Sequence, residues 1–168
     1  MNSSFTDWFQ CPIGVKQGDI LSPTLFAIYI NDLVAELKKT GCGIPIGLDL
    51  VCCLLYADDI VLLADDEAQL QALLNAVNSW CSKWRLEVNL LKTNVMHVRK
   101  FNSKRSEYAF KFEGEKVAYC DKYKYLGITI NETLNFEQSV NDLCESGGRA
   151  LANVITKMIK NGGFPLNV

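Results

Sequence analysis

The sequence predicts an α+β fold: an antiparallel sheet with helices packed on one face, then a β-hairpin and C-terminal helices. Three observations carry this. Two apolar runs of strand length, 51–56 and 60–64, flank the adjacent acids Asp58 and Asp59. Two stretches, 23–39 and 67–85, repeat apolar residues at helical spacing. Strand-like segments follow, and from residue 135 the pattern turns helical again.

In chain order, residues 1–12 are polar with a few aromatics and no clear period, an abrupt beginning that reads as a fragment. Gly14 and Gly18 then bracket a loop whose backbone is open to close approach. Ser22-Pro23 is a helix start, with Ser as N-cap and Pro at the first position. The apolar face of that helix is Leu25, Phe26, Tyr29, Ile30, Leu33, Val34 and Leu37, and Gly41 supplies its left-handed cap. Pro45 excludes residues 42–47 from a central strand and leaves a short edge strand or a turn. The Asp58-Asp59 hairpin follows, its strands apolar on both alternate faces as in a covered sheet.

Asp66 caps the second helix with Gln69 at the capping-box position. Its stripe is Leu70, Leu73, Leu74, Val77, Trp80, Cys81 and Trp84, with both tryptophans expected against the sheet. Residues 86–98 read as two short strands around a loop holding Lys92. Arg99, Lys100, Lys104 and Arg105 read as an exposed basic loop. Glu113-Gly114-Glu115 marks a hairpin, and 123–130 a strand with a close approach or bulge at Gly127. Gly147-Gly148 is expected to break the last helical stretch in two.

The bulk numbers set limits. At 168 residues, 49% hydrophobic and 21% charged, the chain suits one globular domain with a sizeable core. A net charge of −2 provides no global basic field, so any nucleic-acid binding needs local patches, a metal or a larger assembly. The seven cysteines form no Cys-x-x-Cys pair and read as reduced residues of an intracellular protein, nuclear or cytoplasmic. No secretion signal is visible. The most hydrophobic window, 43–64, carries Asp49, Asp58 and Asp59. Each costs about 2.5–3.5 kcal/mol near a membrane-helix centre, which argues against a membrane span.

Paired acids at a hairpin tip are ordinary turn chemistry on one reading. On the other, their mutual repulsion favours a shared proton or a divalent cation, and oxygen-only ligands suit Mg²⁺ or Mn²⁺. The surrounding motifs favour the second. Gly14-Val15-Lys16-Gln17-Gly18-Asp19-Ile20-Leu21-Ser22-Pro23, Tyr56-Ala57-Asp58-Asp59, Asn89-Leu90-Leu91-Lys92-Thr93 and Tyr125-Leu126-Gly127 stand in one order. Together they resemble the reverse transcriptase domain of non-LTR (LINE-type) retrotransposons, across residues 14–160.

The resemblance implies a partial polymerase palm with a primer-grip-like hairpin in residues 1–131 and the helical start of a thumb in 132–168. It implies nucleotidyl transfer to a DNA primer 3′-hydroxyl on an RNA (or DNA) template, with dNTP as substrate and two metal ions about 3.5–4 Å apart. Asp58 would be the main metal ligand and Asp59 the second. Tyr56 would lie near the primer terminus, while Gln17, Gly18 and Ala57 would border template and nucleotide. Lys92 would donate a proton to pyrophosphate, and Tyr125, Leu126 and Gly127 would form the primer grip. The family's further metal-binding aspartate, on a strand before the Gly14 loop, has no match, because Asp7 lacks the apolar strand expected before it. The nucleotide-gripping fingers and an endonuclease domain are likewise missing, so the chain alone is expected to be inactive. A non-catalytic nucleic-acid-binding relic is the alternative, motivated by the basic loop and by Arg149, Lys157 and Lys160. A receiver-like phosphoacceptor also places paired acids at a strand end, but 60–64 reads here as a returning strand.

Overall fold

A computed structural model describes residues 18–160; Asp7, the loop residues 14–17 with Gln17, and residues 161–168 lie outside the described residues. The α+β class holds. The chain forms two compact units that divide between Glu87 and Val88. The strands form five two-stranded ladders among the described residues rather than one sheet; four are local hairpins and one joins distant segments. None of these strands exceeds four residues.

The first unit rests on two helices. Helix α1 (Ser22–Lys39) starts one residue earlier than expected, with Leu21 at the N-cap and Pro23 in its first turn. No side chain caps its first turn; Asp19 Oδ1 accepts the N–H of the cap residue Leu21 itself, at 2.9 Å. The helix ends as expected, on Lys38, Lys39 and a left-handed Gly41. Ile30, Leu33 and Leu37 are buried, whereas Leu25 lies at the exposed margin of the predicted face. Strands β1 (Ile44–Ile46) and β2 (Asp49–Val51) form an antiparallel hairpin. Gly43 before it is obligatory, because a Cβ there would stand 2.8 Å from the Val51 carbonyl oxygen.

Helix α2 (Glu67–Trp84) is capped as expected: Asp66 Oδ1 accepts the Gln69 N–H at 2.8 Å. Leu73, Leu74, Val77, Trp80 and Cys81 are buried. The tryptophans, expected against the sheet, instead face α1. Both indole N–H groups donate to one carboxylate of that helix, Trp80 to Asp32 Oδ1 at 2.8 Å and Trp84 to Asp32 Oδ2 at 3.1 Å. The Tyr29 ring meets Trp84 edge-on at 5.2 Å, and its hydroxyl donates to the Trp84 carbonyl at 2.7 Å. An indole is apolar except for one obligate donor, so it packs where an acceptor is available, and Asp32 supplies one for both.

The second unit departs further from expectation. Residues 86–89 form no strand; β5 is only Asn94–Val95, paired in parallel with β8 (Ala118–Tyr119). Between them, β6 (Lys111–Phe112) and β7 (Glu115–Lys116) form the expected hairpin on Glu113-Gly114. Val95, Phe110, Phe112 and Val117 are buried there. The segment 123–130, read as one strand, is a hairpin of β9 (Lys122–Tyr125) and β10 (Ile128–Asn131). Leu126 and Gly127 both take positive φ, 48° and 87°, as a type I′ turn requires, and Leu126 hides that signal in the sequence.

The basic loop is exposed at Lys100 and Lys104 as expected, but its two arginines are half-buried and paired. Arg99 pairs with Glu132 Oε1 at 2.5 Å, and Arg105 pairs with both Glu132 and Asp121. Carboxylates brought from the ends of the β9–β10 hairpin thus neutralise two of its four charges. Finally, α3 (Glu137–Lys160) runs unbroken through Gly147-Gly148. Its first turn is fastened to β10 by Ser139, whose hydroxyl donates to the Thr129 carbonyl. No helix of the described residues is long and apolar enough to cross a membrane.

Replacing Asp32 by Ala leaves two indole donors without their acceptor and should lower unfolding free energy by about 2–3 kcal/mol. Urea denaturation followed by tryptophan fluorescence measures this. Asp32→Asn, which keeps one acceptor oxygen, should lose less.

Candidate active site

Strands β3 (Cys53–Tyr56) and β4 (Asp59–Leu62) build the hairpin that carries the paired acids. The register sets Tyr56 opposite Asp59, Leu55 opposite Ile60 and Leu54 opposite Val61, closing on the two-residue turn Ala57-Asp58. The strand therefore returns, which a receiver-like site would not do. Asp59 belongs to the ladder and Asp58 to the turn, so two neighbouring carboxylates are held with different freedom.

Cross-strand partners share a face, so Tyr56 and Asp59 project together with Leu54. That face is open: Tyr56 is 62% and Leu54 46% exposed, contrary to the covering expected on both sides. The opposite face, with Leu55, Ile60 and Leu62, is half-buried. Leu63 N–H donates to the Cys52 carbonyl at 2.8 Å and carries the pairing past the ladder's end. The hairpin is thus anchored at its base and open at its tip.

At the tip Ala57 adopts a left-handed φ of 51°. An L-residue there costs roughly 1–2 kcal/mol, least for a small side chain. Neither the Asp58 nor the Asp59 carboxylate is hydrogen-bonded or ion-paired to another described residue. Both are exposed, with their oxygens free for an external cation. Among the described residues no group of three or more His, Cys, Asp or Glu is placed to hold a metal. The pair therefore fits part of a hard-cation donor set, to be completed by oxygens from elsewhere. Cys53, on the same hairpin, does not compete as a thiolate. Burial, with Cys52 adding to it, pushes its thiol up to about 11, so it stays protonated at neutral pH.

The remaining predicted residues divide between the units. Gly18, exposed with φ 82° and nothing within 4 Å of a Cβ position, stands in the same unit as the hairpin. Lys92 is exposed in the second unit, on a turn held by Asn89, whose carbonyl accepts the Lys92 and Thr93 N–H groups at 3.1 Å. Tyr125, Leu126 and Gly127 also lie there, on the β9–β10 turn. One long contact joins these two features: the Tyr123 hydroxyl donates to the Lys92 carbonyl at 3.5 Å.

Sequence reasoning missed how Asp32 serves the site. It read α1 as a helix face and the tryptophans as core without connecting them. The available signal was an acid between Ile30 and Leu33, paired with two indoles one helical turn apart. Gln69 was likewise read only as a capping partner, yet its Oε1 accepts the Gly43 N–H at 3.1 Å, tying α2 to the start of the strands.

Two outcomes follow from the hairpin. Ala57→Val, a β-branched side chain at positive φ, should lower the thermal midpoint measurably, while Ala57→Gly should leave it unchanged or raise it. The folded chain holds the Cys53 proton to about 11, while an ordinary thiol loses it near 9.0. This contribution is fully present below 9 and falls as pH rises through that window, so a Cys53→Ala variant should show a flatter loss of stability there.

Comparison with known proteins gives the following. Residues 2–130 match the family model "Reverse transcriptase (RNA-dependent DNA polymerase)". The chain is 30% identical over 139 residues to the RNA-directed DNA polymerase from mobile element jockey of Drosophila funebris, covering 79% of this chain and 14% of that protein. It is 28% identical over 145 residues to the Pol polyprotein from type-1 retrotransposable element R2 of Nasonia vitripennis, covering 80% and 14%. A third relative is the Pol polyprotein from element R2DM of Drosophila melanogaster, 31% identical over 127 residues, covering 71% and 12%. The chain thus spans about 14% of the length of the curated relatives it matches.

Proposed function

The chain belongs to the reverse transcriptase (RNA-dependent DNA polymerase) family, and from that premise we propose that its β3–β4 hairpin is the metal-holding hairpin of a non-LTR retrotransposon polymerase. The observation that supports this best is the pair Asp58-Asp59, unpartnered and exposed at the tip of an anchored hairpin. The intact polypeptide adds deoxynucleotides to a primer 3′-hydroxyl on an RNA template.

Asp58 and Asp59 hold Mg²⁺ or Mn²⁺. Bound there, the cation lowers the cost of charge on the attacking hydroxyl and on the departing pyrophosphate. Asp59, fixed in the ladder, needs little reorganisation to meet it, which is the basis of electrostatic preorganisation. Tyr56, on the same face as Asp59, lies beside the primer terminus, with Ala57 next to it. Gln17 and Gly18 border template and nucleotide; the open space at Gly18 suits close approach of a backbone. Lys92 serves as proton donor to pyrophosphate, and the Tyr125-Leu126-Gly127 turn grips the primer. Residues 1–131 act as palm with primer grip and 132–168 as the start of a thumb. Among the described residues no third carboxylate joins Asp58 and Asp59, so the pair needs a further oxygen donor to complete the site. The relic reading loses its main support, since Arg99 and Arg105 are spent on Glu132 and Asp121.

Primer extension on an RNA template with Mn²⁺ should stay at background for the 168-residue chain. In a polypeptide of the relatives' full length that contains this chain, synthesis should appear and fall about a hundredfold or more in Asp58→Asn. Independently of activity, Mn²⁺ should broaden the amide resonances of residues 57–60, and Asp58→Asn with Asp59→Asn should abolish the broadening. Synthesis that survives Asp58→Asn, or broadening that ignores both substitutions, would overturn the assignment.

A further inference from the structure

Helix α3 presents an apolar stripe with no partner among the described residues. Val140, Cys144, Gly147, Leu151, Val154 and Met158 alternate steps of four and three residues, the spacing of a coiled-coil seam. Leu143 and Ile155 widen it. Across 24 residues, about 36 Å, all but Met158 of the stripe is exposed; Leu151 is 60% so. The helix meets β10 through Ser139, about 100° around from Val140, so that contact leaves the stripe open.

Two properties of the stripe say what covers it. The pattern is a palindrome about Arg149: Val140 mirrors Met158, Leu143 mirrors Ile155, Cys144 mirrors Val154 and Gly147 mirrors Leu151. A second identical helix running the other way therefore meets it layer by layer, with the large Leu151 opposite the small Gly147 on either side of a two-fold axis. The charges are polarised in the same sense. Glu137, Asp142 and Glu145 occupy the first half, and Arg149, Lys157 and Lys160 the middle and end. Antiparallel pairing lays the acidic half of one helix along the basic half of the other and opposes the two macrodipoles; parallel pairing sets like charges side by side. An interior Gly-Gly also ceases to be only a cost, because small residues let two helices approach closely.

We propose that α3 is a self-association surface, its stripe covered by α3 of a second copy of this chain in antiparallel orientation about Arg149. A two-fold, isologous contact of this kind closes after two subunits.

Sedimentation velocity on the 168-residue chain tests the assembly. The expected result is twice the chain mass, reverting to one chain mass in Leu151→Asp, whose far-ultraviolet circular dichroism should match that of the parent because Leu151 is exposed. Orientation is tested separately with Val154→Cys under mild oxidation. Within one helix, positions 144 and 154 are about 15 Å apart, too far for a disulfide, so any link between these two positions joins two copies. Peptide mapping should find the link from Cys144 to the substituted position 154 in dominance over a Cys144–Cys144 link. A single chain mass at every soluble concentration, a dimer that persists in Leu151→Asp, or a dominant Cys144–Cys144 link would overturn the proposal.

Discussion

One carboxylate organises the first unit. Asp32 sits on α1 and receives both indole N–H groups of α2, so helix packing and polar satisfaction are settled by the same side chain. Without it, the indole N–H groups of buried Trp80 and half-buried Trp84 would lose their acceptor, at a cost that is a sizeable fraction of a small domain's net stability. With it, α2 is fixed against α1, and Gln69 at the other end of α2 fixes the Gly43 turn that begins the strands. The Asp58-Asp59 hairpin inherits its rigidity from this frame, since its inner face packs towards α2 while its tip stands free.

This division between a fixed base and a free tip suits the metal-holding role proposed for the hairpin. A carboxylate tied into internal ion pairs, as Glu132 is, has both oxygens already occupied. Asp58 and Asp59 have no such partners among the described residues, and no basic residue there is spent on them. Their repulsion is left to something from outside the described chain. The contrast separates acids that hold the fold together, Asp32 and Asp66 in the first unit and Glu132 in the second, from a pair whose oxygens are unoccupied.

The sequence was most informative where a single local rule acts. The capping box at Asp66, the stripe of α2, the Gly41 stop and the returning strand after Asp59 all follow from adjacent residues, and all are present. Reading failed where the deciding partner is distant or the local signal is masked. The direction of the tryptophans depends on Asp32, some fifty positions away. The β9–β10 turn is disguised because Leu126 occupies a position where Gly or Asn would have announced it. Gly147-Gly148 was read as a break because each glycine costs about 1 kcal/mol in a helix, yet a 24-residue helix carries both. The basic loop reads as exposed unless Glu132 is known to return to it, more than two dozen residues later.

The parallel pairing of β5 with β8 bears on how the second unit assembles. Parallel strands cannot be joined by a tight turn, and here the intervening chain contains the whole β6–β7 hairpin. Hairpins form in about 1–10 μs, whereas joining distant segments must first meet the entropy of closing the loop between them. Once β6 and β7 have paired, the span between Val95 and Ala118 is shortened and its aromatic cluster of Tyr108, Phe110 and Tyr119 is partly assembled. Pairing of β6 with β7 therefore lowers the loop-closure cost of joining β5 to β8.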